Sequence, residues 1–436
     1  MNEQHTGQTS RGLSAPAASV SRSGIGRRVV VNTASLAGSS LWRILVSFLL
    51  QLLIARRLGL EALGAYTIIM AYLNVGQVVS ELGLSGLLVR DLAQYPEQRL
   101  GYFRIALGLQ IAASFVTWLG LAFLAGVLPF PPTTQLALVV VGASLPLAAV
   151  TSVTQTLFQA GERMELVLGV EGLINTLILV LSAVALWRGA GLVVVVGVVV
   201  VTQAISALLG LWLVRGSGLL EGEQEAVPFQ PIGLARRLAP FYGLAIADVL
   251  LQRVDILLLS VVGGERVTAI YSAAYQLVRV LSKVIQSFWR ALYPTLSRLS
   301  HQSRPVATGV ALRGVQIGLA LLLPTVVLMA LFAEPLLTLI FGPTAAVATP
   351  VLQVLLWSTP LYLVESYATT VLMVEQKPSQ SLWVSTLHVV SIVLLLPLFT
   401  AQWEATGAAL AVVLAGLIST VVSLYVLLRN QPRAYG

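Results

Sequence analysis

The sequence predicts an all-α polytopic membrane protein with about twelve transmembrane helices in two six-helix halves, and three observations carry that expectation. Hydrophobic residues make up 57% of the 436 and charged residues only 10%, whereas roughly 25% is charged in a soluble protein. Apolar runs of the roughly 20 residues needed to cross a bilayer recur along the whole chain. Polar positions inside those runs recur at a fixed offset between the first and second halves.

Taken in order, residues 1–28 contain SAPAASVSRSGIGRR, are rich in Ser, Gly and Arg, and read as a disordered cytoplasmic tail. No apolar region directly follows their charges before Val29, so they do not read as a signal peptide. An N-terminal bundle over 29–214 is built from runs at 31–55, 64–90, 102–127, 134–159, 166–187 and 190–214. LPFPPTT at 128–134 and WRGAG at 187–191 punctuate it. A polar linker follows at 215–237, opening with RGSGLLEGEQEAVPFQP. The C-terminal bundle over 238–429 has runs at 238–262, 267–296, 309–333, 347–374, 380–399 and 405–428, punctuated by FGPT and EQKP. Residues 430–436 form a second tail. Pro146, Pro240, Pro294, Pro324, Pro360 and Pro397 are expected to kink their helices.

Orientation follows from the preference of Lys and Arg for cytoplasmic loops. With the N-terminus inside, the inside segments hold 15 cations and the outside loops 4, namely Arg56, Arg57, Arg188 and Arg266. Both termini are therefore expected on the cytoplasmic face of the cytoplasmic (inner) membrane. The net charge of +8 then belongs to membrane-flanking loops and not to a nucleic-acid surface. The absence of Cys excludes disulfides and thiolate chemistry, and three scattered His leave no expected metal site. Only two lysines occur, Lys283 and Lys377, and neither follows Gly, so the chain has no P-loop. No cofactor is expected.

The internal repeat is weak but consistent. A shift of 205 residues lays GLEALGAY (59–66) over GERVTAIY (264–271). The same shift sets Arg43 over Asp248, Asn74 over Arg279, Glu81 over Gln286 and Ser85 over Arg290. A second echo, with one gap, pairs LPLAAVTSVTQTLFQAGER (145–163) with TPLYLVESYATTVLMVEQK (359–377). Two halves with corresponding polar positions are a common transporter plan.

The chemistry is concentrated in span eight. In YQLVRVLSKVIQSFWRALYPTL (275–296), Gln276, Arg279, Lys283, Gln286 and Arg290 fall on one helical stripe. Arg43, Arg253, Arg279 and Lys283 lie near mid-membrane, where each cation facing lipid costs about 2.5–3.5 kcal/mol. They must face acids, water or a ligand. The acids at similar depth are Glu81, Asp248 and Asp255, of which Asp248 and Asp255 share a face with Gln252 while Arg253 lies off it. Asn74, Gln77, Glu81 and Ser85 share a face of span two. One outcome is ion pairing between the halves, for instance Arg43 with Asp248. The other is a wet cationic cavity that receives an anion, because Arg279 and Lys283 sit one turn apart with no acid on their face.

The chain resembles the Wzx-type polysaccharide flippases of the superfamily that also holds MATE exporters and the lipid II flippase. The resemblance rests on ARRLGLEALGAY (55–66), ELGLSGLLVRDLA (81–93), RVDILLLSVVGG (253–264) and YPTLSRL (293–299), and it runs from about Val31 to Leu428. It implies two six-helix bundles around a central cavity lined by spans one, two, seven and eight. It implies a non-enzymatic transporter whose substrate is a polyprenyl-pyrophosphate-linked oligosaccharide, with the lipid bilayer, a polysaccharide polymerase and glycosyltransferases as partners. On that basis Arg279, Lys283, Arg290, Arg43, Gln286 and Asn74 are the expected pyrophosphate or glycan ligands. Asp248, Asp255, Glu81 and Arg253 are the expected charge-pairing or ion-coupling residues, with protons, sodium or the membrane potential as the drive. The rival expectations are a MATE-like multidrug exporter, a membrane polymerase or ligase, and a channel or scaffold.

Overall fold

The computed structural model describes residues 42–95, 98–220 and 231–429. Both expected tails, the start of the first span and residues 221–230 of the expected linker lie outside the described residues. Among the described residues the chain is built from helices and their connecting turns, without a strand. In order these are α1 (42–58), α2 (Leu60–Glu81), α3 (Leu84–Gln94), α4 (Arg99–Val127), α5 (Pro132–Gly142), α6 (Ser144–Ala160), α7 (Met164–Trp187) and α8 (Leu192–Gly216). The second half holds α9 (Pro231–Val262), α10 (Gly264–Gln302), α11 (Arg304–Leu331), α12 (Ala333–Phe341), α13 (Thr349–Leu355), α14 (Ser358–Val374) and α15 (Pro378–Arg429).

Among the described residues eight stretches are long and apolar enough to cross a membrane by length and composition. The last of them, α15, has 52 residues and would be about 78 Å long as one helix, far more than one crossing. Its backbone leaves helical geometry at Trp403 and Glu404, so it folds into two spans, as the runs at 380–399 and 405–428 require. Helices α1, α9 and α10 complete twelve spans, and these three carry the mid-membrane cations Arg43, Arg253, Arg279 and Lys283.

Three expected runs are not single helices. Leu82 and Gly83, both left-handed, divide span two into α2 and α3. Span four divides after Gly142, and span ten is a 3-10 turn (Pro343–Ala348), α13 and α14 in succession. Pro240, Pro294, Pro324 and Pro397 sit inside helices. Pro146 and Pro360 do not: they stand in the first turns of α6 and α14, where proline forfeits no helical hydrogen bond.

The repeat is visible in the backbone. Gly59 and Gly264, matched by the 205-residue shift, both have positive φ (91° and 71°) at the starts of α2 and α10. Both members of the second echo end alike, with Glu162 (φ 57°) and Gln376 (φ 59°) in left-handed geometry. Arg163 N–H then donates to Phe158 O (2.8 Å) and Lys377 N–H to Leu372 O (2.9 Å), which satisfies the last carbonyls of each helix.

Packing differs between the two ends of the bundle. Near Arg56, Leu186 and Phe341 one apolar core runs through both halves, joining Leu63, Ile68 and Leu138 to Leu259, Tyr271, Leu352 and Ala408. There α2 and α10 touch through small residues, and a Cβ at Gly64 would stand 2.6 Å from that of Ala269. Arg56 Nε donates to Ile340 O (2.8 Å) and its Nη2 to Leu339 O, capping α12 across the halves. At the cation-rich end, near Arg99, Arg163, Arg298 and Lys377, the core splits in two. One cluster centres on Leu87, Phe158 and Val214, the other on Trp289, Leu296 and Tyr367. The first turns of α9, through Leu238 and Phe241, pack on the former.

Candidate functional site

The stripe of α10 descends from the shared core toward the split end. Gln276 is buried, with its Nε2 lacking a partner. Arg279 and Lys283 are half-buried and Arg290 is exposed. Lys283 Nζ donates to Gln286 Oε1 (3.1 Å), a neutral partner that leaves its charge uncompensated. Lys283 lies in the field of Arg290, Arg279, Arg43 and Asp248, and Arg279 in that of Arg253 and Asp255. Among the described residues no carboxylate comes within 4.0 Å of Arg43, Arg253, Arg279, Lys283 or Arg290. These five cations from α1, α9 and α10 form a chain of neighbours, Arg253 near Arg279, Arg279 near Lys283, and Arg43 and Arg290 near Lys283, in which like charges repel unless water or an anion compensates them.

Arg253, expected off the face shared by Asp248, Gln252 and Asp255, is close enough to Arg279 to lie in its field. The two acids of α9 also part company. Asp248 is exposed and accepts from Gln252 Nε2 (2.7 Å). The expected Arg43–Asp248 ion pair is not formed, since Gln252, one turn along, takes the carboxylate instead. Asp255 is buried and accepts from Ile256 N–H (2.8 Å) and Tyr271 OH (3.0 Å). Tyr271 in turn stacks on Tyr275 with ring centres 5.5 Å apart. Asp255 thus ties α9 to α10. Asn74 donates to Met70 O of its own helix, a common fate of an amide deprived of water, and so shares no contact with its repeat partner Arg279.

Beside the cations, the first half forms a half-open cavity of about 410 Å³ between α1, α2, α3, α4, α6 and α8. Arg43 and Glu81 line it, and Gln77, Gln110, Gln155, Gln159 and Gln203 supply amides. Ser85 and Ser152 meet across it at 3.4 Å, and Gln203 Nε2 donates to Thr151 Oγ1 (3.0 Å). The sequence allows Gln155 either a helix–helix hydrogen bond or a place lining a groove, and the cavity has it in its lining, whereas Gln110, Gln159 and Gln203 were not singled out. The available signal was that Thr151, Gln155 and Gln159 follow at four-residue spacing and make one polar face of α6.

The second half treats its buried polar residues differently. Glu365 on α14 accepts from Ser419 Oγ (2.6 Å) and lies 3.3 Å from His388 Nδ1, both on α15. This carboxylate is 8% exposed and ties α14 to α15.

The family model for polysaccharide biosynthesis proteins matches residues 29–300. The chain belongs to that family. Its fold is that of the MOP-superfamily transporters. A multidrug-resistance MATE transporter in its inward-facing conformation superposes with a TM-score of 0.71 at 14% identity, covering 89% of this chain and 96% of that one. The lipid II flippase MurJ in an inward closed conformation gives 0.68 at 13% identity, covering 91% and 87%. A MOP-superfamily transporter from Pyrococcus furiosus, described as having a binding pocket of reversed polarity, gives 0.55 at 12% identity, covering 92% and 93%. At these identities the likeness is one of fold. No curated protein sequence is significantly similar to the chain. Family and fold together make it a multi-pass membrane protein of the polysaccharide biosynthesis family, built on the fold of those transporters.

Proposed function

We propose that the chain flips a polyprenyl-pyrophosphate-linked oligosaccharide from the cytoplasmic to the outer leaflet of the inner membrane, for surface polysaccharide synthesis. One observation carries the proposal: five cations form a chain of neighbours with no carboxylate in ion-pair range among the described residues. A diphosphate is the complementary ligand, because arginine forks and lysine ammoniums bind its oxygens with charge-assisted hydrogen bonds. Arg279 and Lys283 hold the diphosphate, Arg43 and Arg290 flank it, and Gln286 orients Lys283.

With both termini cytoplasmic, the split end of the bundle faces the cytoplasm and admits the headgroup while the polyprenyl chain stays in lipid. The bundles 29–214 and 238–429, joined through 215–237, rock about this site to expose it outside. An inside-negative potential favours outward movement of the anion by about 2.3 kcal/mol per charge per 100 mV. Glu81 and Asp248 are the acids free to couple protons or sodium to that movement, whereas Asp255 is engaged as a helix tie. A polymerase on the outer side and glycosyltransferases on the inner side are the expected partners.

The test is complementation in a strain lacking the native gene. Arg279→Ala/Lys283→Ala, expressed at the wild-type level, is expected to abolish surface polysaccharide export. Full export by that variant would falsify the assignment. The fold is shared with multidrug exporters, so the same strain is scored for drug resistance, and resistance without polysaccharide export would favour that function instead.

A further inference from the structure

We propose that the amide-lined cavity of the first half seats the glycan, so that sugar and diphosphate are held by opposite halves. The inference rests on the flippase reading. Its lining has five primary amides and five hydroxyls, and its two charges, Arg43 and Glu81, are of opposite sign. An amide offers a donor and an acceptor side by side, which is what a sugar hydroxyl needs on each face. Among the described residues Ala148 and Ala149 are the only apolar lining residues and no aromatic ring contributes, so the lining suits neither an apolar drug nor a lipid tail. Its volume of about 410 Å³ lies within the range of small-ligand sites.

One group there is left wanting a donor. Gln110 is 1% exposed, and its Nε2 donates to Glu81 O (3.3 Å), but its Oε1 has no partner. A buried carbonyl in that condition is destabilising until a ligand hydroxyl donates to it. Placement agrees with this assignment. Arg43 lines the cavity and also lies in the field of Lys283, so the cavity adjoins the cations. In a lipid-linked sugar the diphosphate is bonded directly to the first sugar ring, which matches that juxtaposition.

The experiment uses the full chain in lipid nanodiscs with two probes: bare polyprenyl diphosphate, and lipid-linked oligosaccharide extracted from the source cells. Wild type is expected to bind the glycosylated lipid at least about tenfold more tightly than the bare one. Gln110→Leu/Gln155→Leu is expected to lose that preference and keep its affinity for the bare probe, which also certifies that it folds. Ala148→Phe, which fills the cavity from its wall and deletes no amide, is expected to do the same and decides the matter where the double variant does not fold. A preference retained by the folded variants, or absent from wild type, overturns the glycan seat and leaves the diphosphate site standing. Failure of wild type to bind either probe sinks the flippase reading, and the glycan seat with it.

Discussion

Two sets of charged residues lie inside this membrane protein, and they are treated in opposite ways. Asp255 and Glu365 are buried against hydroxyl donors on neighbouring helices, Tyr271 and Ser419. Arg43, Arg279 and Lys283 gather at the seam between the halves and are matched by no carboxylate in ion-pair range among the described residues. The difference teaches that a charge in a membrane helix is not by itself a sign of function. A satisfied charge holds helices together, and an unsatisfied one is held ready for a ligand.

That contrast is open to attack from both sides. The largest effect is expected at the unsatisfied set, where the Arg279 and Lys283 double replacement removes export yet leaves thermal stability near wild type. Relief of like-charge repulsion offsets any packing lost there. A marked drop in melting temperature would place these cations with the structural set. An intermediate effect is expected at Glu365. Glu365→Ala leaves Ser419 without its acceptor and His388 without its neighbouring carboxylate and is expected to destabilise by about 1–3 kcal/mol, read as a lower unfolding temperature in detergent. Transport per folded molecule should survive, and a folded but inactive Glu365→Ala would move that cluster into the mechanism. The smallest effect is expected from Arg56→Ala. It removes an exposed cap on α12 that helps close the end where the two halves share a core, worth less than about 1 kcal/mol. Cysteines placed around Gly64 and Ala269 should become more accessible to a water-soluble thiol reagent. Unchanged labelling would show that the cap is not part of that closure.

Much of the fold was legible because a bilayer allows few solutions. Apolar runs gave twelve spans, and the offset of 205 residues found Gly59 and Gly264 at equivalent left-handed turns. The breaks within spans were not legible. Leu82 carries no turn signal, and its left-handed geometry arises where α3 meets the first turns of α9, a contact between segments far apart in sequence. The stripe of α10 was legible because that helix is continuous through all five of its polar positions. The amide cavity was missed because its walls come from six helices, each contributing only a few polar residues that look unremarkable alone.

The most direct measurement is binding of bare polyprenyl diphosphate to the purified chain in nanodiscs, compared between wild type and Arg279→Gln/Lys283→Gln at several salt concentrations. Glutamine keeps the bulk and hydrogen bonding of the side chains and removes only their charge. Wild-type affinity is expected to fall as salt rises, and the double variant to bind at least about a hundredfold more weakly with little salt dependence. Equal affinity and equal salt dependence in the two proteins would contradict the claim that these unpaired cations are the seat of the diphosphate.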